Sequence, residues 1–162
     1  MVSIVNGGDY WDTMTEIEHP PHNLKIRTFK FEQDMQKVLD LWTHAGPGVQ
    51  LSRSDQTHEI RKKLKNDPDL FVVAELGDVL IGAVLGGYDG RRGMVYHLAV
   101  VNEYRNGGVG KVLMQELEDR LRSKGCLKYY LLVTKQNQEA LGFYKKIGCQ
   151  VMDMYLLGKE IA

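Results

Sequence analysis

Cysteine is scarce in this chain of 162 residues: only Cys126 and Cys149 occur, with no CxxC or Cys/His spacing around either. That argues against a zinc ribbon and leaves room for one disulfide at most. We read both as reduced core thiols, because a chain of this length can build its own core. No metal site is expected. Net charge is also missing, since 21 basic side chains balance 21 acidic ones. No global field therefore draws the chain to nucleic acid, a membrane surface or a polyanion. The run Arg61-Lys62-Lys63 reads as the solvated face of a helix. Long apolar runs are absent as well, and Asp9, Asp12, Glu16 and Glu18 interrupt the start of the chain. Neither a signal peptide nor a membrane span is read there, and a soluble cytoplasmic protein is expected.

What is present is periodicity. Residues 1–23 lack it and end at Pro20-Pro21, so they are read as an N-terminal extension to one domain over residues 24–162. Residues 24–28 alternate as a half-buried strand, and residues 31–44 place Met35, Val38, Leu39 and Trp42 on one helical face. The Ala45-Gly46-Pro47-Gly48 break ends that helix, and a second is expected over residues 54–65. Residues 71–76 and 79–85 flank Gly77-Asp78 as a hairpin, and residues 94–101 form the next strand. A helix over residues 111–124 carries Leu113, Leu117 and Leu121 on its buried stripe. A strand over residues 127–133, a helix over residues 138–146 and final strand material over residues 150–157 complete the chain.

The richest segment joins the strand Leu98-Ala99-Val100 to the helix at Lys111 through Arg105-Asn106-Gly107-Gly108-Val109-Gly110. Unpaired N–H groups and the positive dipole end at such a helix start favour an anion, and glycines let the backbone approach it. Arg105 would add a fixed charge at the mouth. A plain helix start explains one glycine better than three in four residues. A dinucleotide loop needs G-x-G-x-x-G and an acidic residue ending the next strand, but the order here is G-G-x-G and Val133 is followed by Thr134 and Lys135. A triphosphate loop needs G-x-x-x-x-G-K-S/T, and Lys111 is followed by Val112.

The loop resembles the diphosphate loop of the GNAT acetyltransferases, R/Q-x-x-G-x-G/A after a strand ending in a Leu-Ala-Val type sequence. A second element, Asn137-Gln138-Glu139-Ala140-Leu141-Gly142-Phe143-Tyr144-Lys145-Lys146-Ile147-Gly148, resembles the family's N-x-x-A-x-x-F/L-Y-x-x-x-G stretch. The resemblance covers roughly residues 24–161. Gly86-Gly87-Tyr88 through Gly93 and Leu156-Leu157-Gly158-Lys159 are similar to small bacterial members. It implies a mixed α/β (α+β) fold, with a mostly antiparallel twisted sheet of six to seven strands, a splayed strand pair and about four helices.

By that resemblance the cosubstrate is acetyl-CoA. Arg105, Asn106, Gly107, Gly108, Val109, Gly110 and Lys111 would hold its pyrophosphate, Leu98, Ala99 and Val100 its pantetheine arm, and Asn137 the thiol end. Tyr144 matches the general acid that protonates the departing thiolate, in transfer to a primary amine of a small molecule or peptide. Tyr96 and Trp42 would line the acceptor pocket, near the loop 46–48. The base is not evident. Where some relatives carry Glu this chain has Leu132, and the positions used by others are Met94 and Tyr96. His97 has a suitable side chain for a base, but strand alternation points it to the face opposite Met94, Tyr96 and Leu98; Glu103 is read as fixing the loop, and loss of the proton through ordered water, with Tyr96 lining the pocket, is the other reading. Two rival readings stand: a CoA-binding sensor with weak chemistry, and a protein N-terminal acetyltransferase, against which Leu132 argues. Open sheet edges and Met152-Asp153-Met154-Tyr155 leave room for a homodimer.

Overall fold

The apolar patterns resolve into alternating elements in the computed structural model, which describes residues 19–161. They are β1 (Leu24–Thr28), α1 (Phe31–His44), α2 (Thr57–Asn66), β2 (Phe71–Leu76), β3 (Val79–Tyr88), β4 (Gly93–Val100), α3 (Val109–Ser123), β5 (Tyr129–Leu131) and α4 (Gln138–Lys146). Three 3-10 turns, Gly46–Gly48, Arg53–Asp55 and Asn102–Tyr104, lie in the connections. The expected N-terminal extension falls largely outside the described residues.

The sheet runs β1-β2-β3-β4-β5. The first four strands pair antiparallel and β5 lies parallel to β4. β2 and β3 are apolar on successive residues because both sheet faces are covered. On one face Phe71, Val73, Ala83, Leu85 and Ala99 pack with Val38 and Trp42 of α1 and Ile60 of α2. On the other Val72, Val84 and Val95 pack with Leu113, Leu117 and Leu121 of α3. Two bulges break the strict alternation. Opposite β2 the pairing skips Ile81, and opposite β3 it skips Tyr96. Each inserted residue shifts the facing of the rest of its strand by one.

An ion-pair cluster locks β1, β2 and α1 together. Arg27 forks onto both oxygens of Asp34 at 2.6 and 2.8 Å and also bonds Glu75. The fully buried Asp34 accepts the Lys30 N–H at 2.7 Å, which satisfies a donor at the start of α1. Burial by itself would raise the Asp34 carboxyl, but the Arg27 and Lys30 hydrogen bonds and the Arg27 charge hold it below its ordinary value.

Among the described residues five strands form, not six to seven. Residues 150–157 take no place in the sheet, and Val151, Met154 and Tyr155 are exposed. Two features account for this. β5 is three residues long, so its free edge offers little ladder. The apolar residues of the segment run consecutively from Met154 to Leu157 rather than alternating, so they favour neither register. Among the described residues four α-helices form, as expected, and both cysteines are free and half-buried.

Candidate active site

The loop between β4 and α3 is shaped for an anion. Asn106 and Gly108 both sit in the left-handed region, at φ 59° and 77°, and Gly108 caps α3. Such alternation turns successive N–H groups to one side, and asparagine and glycine are the residues that tolerate it. Val112 donates to the Gly108 carbonyl at 3.1 Å as the helix ladder begins. The N–H groups of Val109, Gly110 and Lys111 precede that bond and have no intrahelical partner. A Cβ on Gly110 would come within 3.4 Å of the Phe143 ring, so this glycine also seats α4 against the start of α3.

Arg105 does something other than expected. Its Nε donates to the Val100 carbonyl at 3.1 Å and an Nη to the Ala45 carbonyl at 2.8 Å, while its own N–H is bonded to Asn102. The guanidinium therefore ties the loop to the end of β4 and to the C-terminus of α1. Two of its five N–H donors are thereby held on main-chain carbonyls.

β4 and β5 are in register only from Gly93 with Tyr129 to Val95 with Leu131, and past that point they separate. Val101 donates back to Ile81 at 2.9 Å, so by ladder alternation His97 and Ala99 also bond toward β3. Leu98 and the N–H of Val100 consequently face the opened side. These are free backbone groups that a bound amide chain would satisfy. Ala99 keeps its position in the strand but turns its ladder groups to β3 and its side chain into the core, so it offers the gap nothing.

α4 supplies the other wall. Asn137 caps it, its side-chain oxygen accepting the Ala140 N–H at 3.1 Å. The amide nitrogen of Asn137 lies over Gly48, where a Cβ would stand 2.7 Å from it, so the 3-10 turn 46–48 crosses close above this cap. Seven residues further along, Tyr144 packs edge-on to Phe143, with ring centroids 5.1 Å apart. Burial, with Cys149 adding to it, pushes the Tyr144 phenol up to about 12. It therefore keeps its proton at neutral pH.

An N–H nest beside a splayed parallel strand pair is the arrangement the resemblance implied, and residues 33–149 match the model of the acetyltransferase (GNAT) family. The chain belongs to the GNAT family. An acetyltransferase of Yersinia pestis is 37% identical over 138 residues, covering 85% of this chain and 96% of that one. Among solved structures, Ard1 from Thermoplasma volcanium superposes with TM-score 0.68 at 24% identity, over 78% of this chain and 82% of its own. The PaiA N-acetyltransferase of Thermoplasma acidophilum, solved with coenzyme A, has TM-score 0.67 at 23% identity, over 82% and 92%. The GNAT fold thus accounts for the splay, and the loop and gap suit CoA by their own chemistry: orphan N–H groups for a diphosphate and open ladder groups for amides.

The face of this GNAT domain covered by α1 and α2 departs from expectation. The bulge at Tyr96 cancels the alternation, so Tyr96 and His97 both turn to that face. Tyr96 lies under Lys63 of α2 and is half exposed. Its phenol is raised by burial and by the charges of Asp67 and Asp89. His97 donates or accepts through Nε2 at 2.7 Å from Asp55 and meets the Trp42 ring edge-on at 4.8 Å. Trp42 itself is 1% exposed and stacks on Phe71, so it belongs to the core rather than to a pocket wall. Asp55 is the residue the sequence reading missed. Its signal was Ser52-Arg53-Ser54-Asp55, an S-x-x-D capping pattern, and the structure shows that box with Asp55 Oδ2 accepting from Ser52 N–H at 2.7 Å and its hydroxyl at 2.9 Å. Leu132 is exposed beyond β5 and Glu103 lies in the Asn102–Tyr104 turn. A cavity of about 550 Å³ lined by Lys37, Asp40, His44, Asp78 and Glu103 borders the loop, but contains none of Tyr96, Asn137 or Tyr144.

Proposed function

We propose that this protein is an N-acetyltransferase that moves the acetyl group of acetyl-CoA to a primary amine of a small molecule or peptide by direct transfer. The observation that carries this reading is the juxtaposition of the N–H nest at residues 106–111 with the opened flank of β4. Asn106, Gly107, Gly108, Val109, Gly110 and Lys111 hold the diphosphate through the backbone and the dipole of α3. Leu98 and Val100 bond the pantetheine amides, and Asn137 orients the end nearest the sulfur. Tyr144 delivers a proton to sulfur as negative charge develops there. Its raised pKa makes it a weak acid but one that is fully protonated before each turnover.

Calorimetric titration with CoA tests the first half: micromolar to submillimolar binding supports it, and no heat at millimolar CoA overturns it. A screen of amines for acetyl-CoA-dependent thiol release tests the second. A CoA-binding sensor is favoured only by the apolar side chains at Met94 and Leu132, and thiol release with any amine rejects it. The same Leu132 stands against a protein N-terminal acetyltransferase. Exposed Met154 and Tyr155 support a homodimer, which sedimentation velocity resolves. A cytoplasmic location fits the same reading; among the described residues no helix is long and apolar enough to cross a membrane.

A further inference from the structure

We infer that His97, oriented by Asp55, is the base that takes the proton from the acceptor amine. The inference rests on the acetyltransferase reading and reverses the facing by which strand alternation had set His97 aside. Three observations carry it. The bulge at Tyr96 brings His97 to the α1–α2 face, at the strand position next to Leu98, whose backbone faces the gap. Asp55 is 8% exposed and anchored through Oδ2 by Ser52, so its Oδ1 is fixed to receive the N–H of His97 Nε2. A buried carboxylate on Nε2 sets the tautomer and leaves the lone pair on Nδ1. Among the described residues Nδ1 has no hydrogen-bond partner, and it is not one of the unpartnered atoms sealed from solvent. The imidazole is thus held at one nitrogen and open at the other, the division of labour by which a carboxylate orients a histidine base.

The remaining neighbours leave that arrangement intact. From α1 the ring meets uncharged Trp42, from β3 it faces Leu85, and the cation of α2 on this side is Lys63, over Tyr96 and paired with Asp67. In the step, the acceptor nitrogen attacks the thioester carbonyl carbon, the C–N bond forms and the C–S bond breaks. The proton shed by nitrogen goes to His97 Nδ1, and sulfur takes one from the Tyr144 phenol; both groups re-equilibrate with water. Asp55 is a positioning residue and touches neither reactant.

The test uses His97→Gln, whose side-chain amide keeps a donor for Asp55, and Asp55→Asn, each first shown to bind CoA as the parent does. With an amine from the screen, His97→Gln is expected to lower kcat by about 10²- to 10³-fold with KM for acetyl-CoA unmoved, and to remove the His-dependent acidic limb of kcat/KM. Asp55→Asn lowers kcat and shifts that limb. A second arm needs no acceptor: bromoacetyl-CoA places an alkylating carbon at the acetyl position, and peptide mapping should find the label on His97, blocked by CoA. A parent-like rate and pH profile in His97→Gln overturns the inference. So does a label on another residue, or no label, while CoA still binds. Absence of CoA binding in the parent overturns the acetyltransferase reading itself, and the inference with it.

Discussion

Replacing Arg105 separates two roles for the one charged side chain of the glycine loop. As a phosphate ligand it would contribute charge, and lysine would largely replace it. As a clamp it contributes a fork onto the carbonyls of Val100 and Ala45. Hydrogen bonds from a charged donor are worth about 1.5–3 kcal/mol each, and Arg105 is half-buried, so water recovers part of both on removal. Arg105→Gln should therefore cost about 2–4 kcal/mol, and Arg105→Lys, which reaches one carbonyl at best, about 1–2 kcal/mol. For a domain of this size that is a fall in Tm of roughly 4–15 °C for the glutamine variant. CoA affinity should drop in both, because the N–H nest loses its anchor. Re-ordering even one or two loop residues on binding costs about 1–2 kcal/mol each, or roughly a 5- to 900-fold rise in Kd. Thermal unfolding without ligand and calorimetry with CoA measure the two effects. If Arg105→Gln unfolds within about 0.5 kcal/mol of the parent, and Arg105→Lys retains its CoA affinity, the clamp is wrong and the side chain is a phosphate ligand.

Three more variants probe the remaining geometry. Tyr144→Phe should reduce kcat by about 10²-fold or more with CoA affinity unchanged, read by thiol release against calorimetry; parent-like turnover removes Tyr144 from the chemistry. Gly48→Ala would set a methyl 2.7 Å from the Asn137 amide nitrogen, so the cap of α4 must shift; we expect about a tenfold loss in kcat/KM with the fold intact by circular dichroism. Asp34→Asn should destabilise the protein by about 2–4 kcal/mol at pH 7, since it breaks a buried pair while leaving Arg27 its bond to Glu75. Because the folded Asp34 carboxyl is depressed below its unfolded value, its stabilisation is complete above the unfolded pKa and is lost as pH falls through the folded one. Urea unfolding at pH 7 and pH 3 should therefore show the difference between parent and variant shrinking in acid, and an equal gap at both would contradict the ion-pair account.

Two local motifs carried the resemblance that points to acetyl-CoA as the donor. Glycines and Asn106 at a strand-to-helix junction create orphan N–H groups wherever they occur, and Asn137 followed seven residues later by Tyr144 puts a cap and a phenol on one short helix. Both properties belong to neighbouring residues, so they were legible in order along the chain, as were four helices and the hairpin at Gly77. The acceptor side was not. His97 and Asp55 are 42 residues apart, and no local pattern brings them within 2.7 Å. The facing of His97 depended on a bulge, which is decided by how β4 pairs with β3 and not by the alternation of β4 alone. The bond from Arg105 to the carbonyl of Ala45, 60 positions earlier, likewise has no local signal. The last expected strand failed for the same reason, because a strand exists only when another edge can accept its hydrogen bonds. Sequence alone determined the glycine-rich turn, since its conformation is set within a few residues; tertiary pairing decided which side chains of β4 face α1 and α2, since that facing is a property of two strands at once.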